Sequence, residues 1–331
     1  MPQTLLSVEG LRTYFYTYAG VVKAVDGVSL YVDKGETLGL VGESGSGKSV
    51  TAQSIMRIVP QPGKTIGGNI EFEGKNLLGL KESEMQGLRG KEIAYITQDP
   101  TTTLDPVYSV GDQIAEVIMK HQNLSKKEAI NKAIALLDSV GIADPNLRVN
   151  QYPHELSGGT KQRIAIARAL SCEPTLILAD EPTTALDVTI QAQILDLLKG
   201  LKEKLNLAMI LITHDMGIVA DTCDRVTVVY AGQVCETGSV EQVFLSPKHP
   251  YTEALLTSVP SLALRRERLS VIPGNVPNLI APPTGCRFHP RCKFAQQICA
   301  DAEPTLEKIP EGRMVHCHRW KEVDLKSPVA N

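Results

Sequence analysis

This sequence is constrained most strongly by one octapeptide, Gly42-Glu43-Ser44-Gly45-Ser46-Gly47-Lys48-Ser49. It follows the apolar stretch Thr37 to Val41, which is typical of a buried strand, and precedes the helix-compatible run Val50 to Val59. A strand, a glycine-rich loop and a helix in this order predict backbone N–H groups and a helix N-terminus that converge on a phosphate chain. Lys48 then reaches the β- and γ-phosphates and the Ser49 hydroxyl binds Mg²⁺, which indicates a nucleoside triphosphate rather than a dinucleotide.

Composition and charge narrow the class of protein. With 331 residues, of which 43 % are hydrophobic, the chain is long enough for a large core and about two domains. A formal net charge of −3 gives no overall basic field, which argues against a nucleic-acid partner. No apolar run approaches the roughly 18 residues that span a bilayer, and Met1 to Thr4 do not begin a signal segment. We therefore expect a cytosolic protein that reaches the membrane through a partner.

The order of predicted elements favours an α/β fold. Residues 5–32 alternate apolar and polar types, as antiparallel strands do, and the periodicity from Val110 to Val140 is helical. Further strands are predicted at 69–72, 93–96, 176–179, 208–213 and 226–230, and further helices at 157–170 and 189–205. Alternating strands and helices predict a mainly parallel sheet covered on both faces.

Two carboxylates follow the predicted strand at Leu176 to Ala179. A parallel fold places Asp180 and Glu181 at the carboxyl edge of the sheet, beside the glycine-rich loop Gly42 to Ser49, called the phosphate loop below. Asp180 is then expected to hold the Mg²⁺ shell, and Glu181 to polarise the water that attacks the γ-phosphate. A strand that ends in Asp-Glu is common, so this assignment depends on the phosphate loop.

A second phosphate-binding feature begins at Leu156-Ser157-Gly158-Gly159. Ser157 is a suitable N-cap, and the following helix aims its N–H groups and its dipole at an anion. It lies about a hundred residues from the first loop, and one nucleotide does not need both. This segment resembles the signature motif of the ATP-binding cassette (ABC) ATPases, and the resemblance covers about residues 5–245. Thr160 departs from the family, which usually has Gln or another longer residue there.

The resemblance implies a dimer and further site residues. In ABC ATPases two subunits sandwich two ATP molecules, and each signature motif closes on the nucleotide of the other subunit. By resemblance, Gln98 is the glutamine that meets Mg²⁺ and the lytic water and senses the membrane partner. Asp187 lies in the D-loop Thr184-Ala185-Leu186-Asp187, and His214 contacts the γ-phosphate.

The resemblance also implies an aromatic side chain that stacks on adenine near the N-terminus. Phe15 aligns best with this position, and Tyr14 and Tyr16 are competitors. Ordinary strand packing is the alternative for each of the three.

The last fifth of the chain is rich in proline and contains four cysteines, Cys286, Cys292, Cys299 and Cys317. In a cytosolic protein such clustering favours ligation of a metal or cluster over disulfides. Together with Gln98-Asp99-Pro100 and His249-Pro250-Tyr251-Thr252, the segment Gly285-Cys286-Arg287-Phe288-His289-Pro290-Arg291-Cys292 resembles the oligopeptide and dipeptide importer ATPases.

In that subfamily the late cysteines ligate an iron–sulfur cluster, which implies a [4Fe–4S] cluster here. Five, six and seventeen residues separate the four cysteines, and this spacing lacks the paired Cys-x-x-Cys of common zinc modules. A Zn²⁺ site, in which His289, His316 or His318 replaces a cysteine, is the alternative, and free surface thiols are a third reading.

The resemblance therefore implies a P-loop NTPase with a RecA-like core, an antiparallel β subdomain and a helical insert at about 100–160. We expect this nucleotide-binding domain to span residues 1–245 and a cysteine-rich extension to span 246–331. The expected function is hydrolysis of ATP to import dipeptides or oligopeptides. The implied partners are two transmembrane permease subunits, a second ATPase or a second copy of this chain, and indirectly an extracytoplasmic binding protein.

Other functions remain open to test. A soluble ABC ATPase acting on nucleic acid or ribosomes is one alternative, although such proteins usually carry coiled-coil insertions or tandem cassettes. An importer of nickel chelates is another, because the binding protein and the pore select the substrate. The four late cysteines suggest a third alternative function, that of an iron–sulfur electron carrier in which the bound nucleotide gates electron transfer.

Overall fold

A computed structural model describes residues 3–184, 186–258 and 272–327. In these ranges the strands β1 to β12 are Thr4–Thr17, Gly20–Asp33, Thr37–Val41, Gly63–Phe72, Lys75–Asn76, Ile93–Ile96, Leu176–Asp180, Ala208–Thr213, Arg225–Tyr230, Gln233–Ser239, Glu307–Lys308 and Met314–Val315. The helices α1 to α12 are Lys48–Met56, Glu82–Leu88, Pro100–Thr103, Val110–Gln122, Lys126–Ser139, Pro145–Arg148, Gly158–Ala169, Val188–Leu205, Met216–Thr222, Val240–Leu245, Pro250–Ser258 and Gln297–Asp301. Of the helices in those ranges, none has both the length and the apolarity required to span a bilayer.

The chain forms two compact units. The first contains the described residues of 1–3, 33–35 and 79–210, and the second contains those of 4–32, 36–78 and 211–331. The expected extension, 246–331, thus falls in the same unit as the phosphate loop, and its residues 259–271 and 328–331 lie outside the described ranges. Because compact units and functional domains need not coincide, the division at residue 245 stays a prediction.

The first unit contains the helical insert. Its helices α4 and α5 are capped by Ser109 and Ser125, whose hydroxyls accept the N–H groups of Asp112 and Glu128 at 3.1 and 3.4 Å. Their apolar stripes are buried, including Ile114, Ile118, Ala129, Ala133 and Leu137. The periodicity from 110 to 140 therefore predicted these helices correctly. In the same unit β6 and β7 pair in parallel, with Ile93 opposite Leu176.

The second unit contains an antiparallel sheet of order β2-β1-β4-β5. Strands β1 and β4 pair with Leu6 opposite Phe72 and Val8 opposite Ile70, and all four side chains are buried. The alternating pattern of residues 5–32 is thus confirmed as two long strands. Burying one such side chain stabilises the fold by about 1.5–3 kcal/mol, so this alternation specifies the register.

The other sheet of the second unit is mixed rather than mainly parallel. Strand β3 runs parallel to β9, whereas β9, β10, β12 and β11 pair in succession as antiparallel strands. The reversal after β9 occurs at Ala231 and Gly232, which both have positive φ. Sequence analysis missed β10 because its buried positions include the polar residues Gln233, Glu236 and Thr237.

Candidate functional site

The phosphate loop joins β3 to α1 in the second unit, as the sequence predicted. Gly47 has a φ of 100° and precedes Lys48, the first residue of α1. A Cβ atom on Gly47 would lie 2.3 Å from the Ala24 carbonyl oxygen, and one on Gly42 would lie 2.0 Å from that of Val229. Only glycine fits at these two positions, because neighbouring backbone passes directly against the loop.

Inside this loop the Lys48 side chain is buried. Its Nζ donates hydrogen bonds to the carbonyl oxygens of Gly42 at 2.7 Å and Glu43 at 3.0 Å. The Ser46 carbonyl accepts from the N–H of Gly232 at 2.9 Å, which ties the loop to the turn after β9. The ammonium group is therefore held within the loop, while Ser44 and Gly45 at its tip are exposed.

Two carboxylates and a glutamine come together in the first unit. Asp180 ends β7, is 3 % exposed, and accepts from the Tyr95 hydroxyl at 2.7 Å. Gln98 Nε2 and Thr184 Oγ1 donate to Oε2 of Glu181 at 3.1 and 2.7 Å. Sequence analysis named Gln98, Asp180 and Glu181 but missed Tyr95, because nothing in the sequence predicts a side-chain hydrogen bond across 85 residues. It named Thr184 as part of the D-loop but not as a partner of Glu181, three residues away.

Helix α7 of the first unit begins at the Leu-Ser-Gly-Gly segment. The hydroxyl of Ser157 accepts the N–H of Thr160 at 3.3 Å, as expected of an N-cap. A Cβ atom on Gly159 would lie 2.9 Å from Ile190 of α8, so only glycine allows this close packing. Ser157 and Gly158 are exposed, and the positive end of α7 thus faces solvent.

The D-loop is next to this segment in the same unit. A Cβ atom on Gly158 would lie 3.7 Å from Leu186 of the D-loop, which is van der Waals contact. Asp187 is the exposed N-cap residue of α8. Ala185 of the predicted D-loop lies outside the described residues.

His214 and Phe15 both belong to the second unit. His214 is exposed and follows β8, next to the N-cap of α9, Asp215. Phe15 lies in β1 opposite Gly63 and is half-buried. Tyr14 donates to Asp26 at 2.6 Å, and burial together with this carboxylate raises the pKa of Tyr14 to about 12. The Tyr14 hydroxyl thus has a polar partner within its unit, whereas the Tyr16 side chain is exposed.

The four late cysteines line one cavity in the second unit, with Phe288 and His318. Burial, helped by the neighbouring thiols, raises the pKa of Cys286 to about 12 and that of Cys317 to about 11. Such thiols stay protonated at neutral pH unless a bound cation displaces their protons. In the three described ranges, however, no group of three or more His, Cys, Asp or Glu side chains is arranged to hold a single metal ion.

The alternative histidine ligands have other partners. His289 Nδ1 faces the Cys286 carbonyl at 2.9 Å, and His318 Nε2 faces the Ala302 carbonyl at 2.8 Å. His316 Nε2 contacts the Pro304 carbonyl.

Comparison with known proteins decides the family. Residues 25–184 match the ABC transporter family, and residues 235–299 match the oligopeptide/dipeptide transporter C-terminal region. A probable peptide ABC transporter ATP-binding protein of Sinorhizobium fredii is 52 % identical to this chain and aligns over 96 % of each sequence. The chain belongs to the ABC transporter ATP-binding family. It is an ABC ATPase.

Further relatives agree with this assignment. The oligopeptide transport ATP-binding protein OppD of Bacillus subtilis is 53 % identical to this ABC ATPase over 94 % of this chain and 87 % of its own length. Among solved structures, a dimeric post-hydrolysis state of an ATP-binding cassette bound to ADP and Pi has a TM-score of 0.64 and 26 % identity. That match covers 71 % of this chain and 98 % of the other. The ABC cassette fold is therefore established for this chain.

Proposed function

We propose that this ABC ATPase powers the import of dipeptides or oligopeptides across the cytoplasmic membrane. The observation that carries the proposal is similarity to peptide transport proteins over nearly the whole chain, including the region that follows the cassette. The chain then works at the cytoplasmic face of the membrane, on two permease subunits. Its ATPase partner is a second related subunit or a second copy, and an extracytoplasmic binding protein delivers the peptide.

In this proposal the phosphate loop, Gly42 to Ser49, holds the triphosphate. Lys48 exchanges its bonds to the Gly42 and Glu43 carbonyls for bonds to the β- and γ-phosphates, so its burial costs little in either state. Ser49 and Gln98 would hold Mg²⁺, and Asp180 would bind the shell of ligands around the ion. Mg²⁺ neutralises charge on the phosphates. Phe15 stacks on the adenine.

Glu181 is the proposed general base. It would accept a proton from the water that attacks the γ-phosphate, while His214 contacts the γ-phosphate. The hydrogen bonds from Gln98 and Thr184 fix its carboxylate, and an oriented base is more effective than a mobile one.

The exposed N-terminus of α7 supports a site completed by a second ATPase subunit. Ser157, Gly158 and Gly159 offer donors to a nucleotide that a partner carries, and Asp187 lies at the same surface region of its unit. ATP binding would then close the dimer, and hydrolysis would reopen it.

We also propose that Cys286, Cys292, Cys299 and Cys317 hold a [4Fe–4S] cluster. Four thiols that line one cavity match the ligand set of a [4Fe–4S] cluster, and their spacing lacks the paired Cys-x-x-Cys of common zinc modules. A bound cluster supplies the positive charge that keeps the four thiolates ionised.

Transport is tested by reconstitution with the permease subunits and the binding protein. We expect peptide to stimulate ATP hydrolysis severalfold or more, and the chain without permease subunits provides the control. Stimulation by a nickel chelate alone, or by nucleic acid in the absence of membrane subunits, would contradict peptide import.

The cluster is tested by Cys286→Ser. Protein prepared without oxygen should absorb broadly at about 400 nm through sulfur-to-iron charge transfer, and the variant should lose most of this band. Cys172→Ser is a matched control, since Cys172 does not line the cavity. A colourless preparation that contains stoichiometric zinc would show that the four cysteines hold Zn²⁺ and not an iron–sulfur cluster.

A further inference from the structure

Glu43, the second residue of the phosphate loop, is held by an arginine from the late cysteine motif. Arg291 Nη1 donates to Oε2 of Glu43 at 2.7 Å, and Nη2 donates to Oε1 at 3.0 Å. This is a bidentate ion pair in which the Arg291 side chain is 5 % exposed and that of Glu43 is 28 % exposed. Because it is largely removed from solvent, the pair is stronger than a surface ion pair.

The backbone of Glu43 is also fixed on both sides. Its N–H donates to the hydroxyl of Tyr251 at 2.9 Å, and Tyr251 is completely buried. Its carbonyl accepts from Lys48 at 3.0 Å. Glu43 therefore links the phosphate-binding lysine directly to two residues of the C-terminal part of the chain.

Arg291 is itself rigidly placed. Its Nε donates to the Pro273 carbonyl at 2.8 Å, and Nη1 donates to the Tyr230 hydroxyl at 3.2 Å. Phe288, which lines the cysteine cavity, packs against Tyr230 and Tyr251 with ring centroids 5.2 Å apart in both cases. The wall of the cysteine cavity and the phosphate loop thus share one packed cluster.

We propose that Arg291 and Tyr251 are positioning residues for the phosphate loop, and that Arg291 neutralises Glu43 so that a triphosphate can bind. The proposal rests on the proposed binding of ATP by this loop. Without the Arg291 guanidinium, the charge of the Glu43 carboxylate is no longer offset, and it repels an incoming polyanion. Without the Tyr251 hydroxyl, the N–H of Glu43 loses its partner and the start of the loop is less ordered. The cysteine-bearing segment therefore forms part of the nucleotide site.

The experiment measures the Kd of the full chain for a fluorescent MgATP analogue in a double-mutant cycle. Arg291→Gln should raise the Kd at least about tenfold, as expected when one partner of a buried charge pair is removed. Adding Glu43→Gln to this variant should bring the Kd back to within about threefold of the Glu43→Gln value, because the repelling charge is gone. A purely structural role of Arg291 predicts no such rescue. Tyr251→Phe should raise the Kd severalfold.

The control is Lys293→Gln. Lys293 carries the same charge two residues away but pairs with Glu253 at 2.8 Å. We expect the Kd of the Lys293→Gln variant for the MgATP analogue to equal that of the unmodified chain. If Arg291→Gln and Tyr251→Phe both bind the nucleotide as tightly as the unmodified chain, or if Glu43→Gln fails to rescue Arg291→Gln, the inference is overturned while the proposed function stands. If the unmodified chain itself binds no MgATP, the proposed function fails, and this inference fails with it.

Discussion

Glu181→Gln is expected to lower the rate of ATP hydrolysis by about 10²–10⁴-fold, the usual contribution of a general base. The amide has the size of the carboxylate, so the bonds from Gln98 and Thr184 have room to re-form around its oxygen. It cannot take a proton from water at neutral pH. Nucleotide binding should therefore survive, because the phosphate loop is unchanged.

Three measurements separate catalysis from binding in this variant. The Kd for MgATP should stay within about threefold of the unmodified value, since the lost step is chemical. Single-turnover hydrolysis should be slow, and size-exclusion chromatography with MgATP should show an accumulated dimer. Glu203→Gln, an exposed carboxylate on α8, is the matched control and should hydrolyse ATP normally. An unchanged hydrolysis rate in Glu181→Gln would exclude the assigned role.

Features that depend on local chain order could be predicted from the sequence. The phosphate loop, the carboxylates at the end of β7 and the capped start of α7 each follow from a few consecutive residues. The helical insert and the two long N-terminal strands follow from periodicity, because one face of each element is buried.

Features that depend on partners distant in sequence could not be predicted. Glu43 and Arg291 are 248 residues apart, and no local pattern indicates that they form a pair. Strand β10 looks polar in the sequence, yet Thr237 is buried against Thr227 at 2.9 Å and Glu236 is buried against Arg313. Periodicity treats polar residues as exposed, and it fails where polar groups are paired inside the core.

The buried pair of Glu236 and Arg313 gives the largest expected effect on stability. Glu236 is 0 % exposed and accepts from Arg313 Nη2 at 2.6 Å. It also accepts from the N–H groups of Lys248 and His249, at 2.9 Å each. Arg313→Met should lower the free energy of unfolding by about 3–5 kcal/mol, because it leaves a carboxylate buried without its cation. Urea unfolding measures this difference.

The loss of unfolding free energy in Arg313→Met should depend on pH. Burial raises the pKa of Glu236, although Arg313 acts to lower it. Removing Arg313 therefore raises this pKa further above its value in the unfolded chain, about 4.3. A carboxyl group with a raised pKa stabilises the fold below its unfolded pKa and loses this contribution as the pH rises through its folded pKa. The variant should consequently unfold at a lower urea concentration at pH 8 than at pH 5.5, relative to the unmodified chain.

Two comparisons test whether the buried charge is the cause. Combining Arg313→Met with Glu236→Gln removes the charge but keeps an oxygen for the Lys248 and His249 N–H groups, so it should recover part of the stability and abolish the added pH dependence. Lys126→Gln breaks a pair with Asp112 of similar length, 2.9 Å, whose side chains are 70 % and 40 % exposed. We expect Lys126→Gln to lower the free energy of unfolding by less than about 1 kcal/mol. If Arg313→Met costs no more than Lys126→Gln, the strand pairing of β10 holds the C-terminal segment without this ion pair.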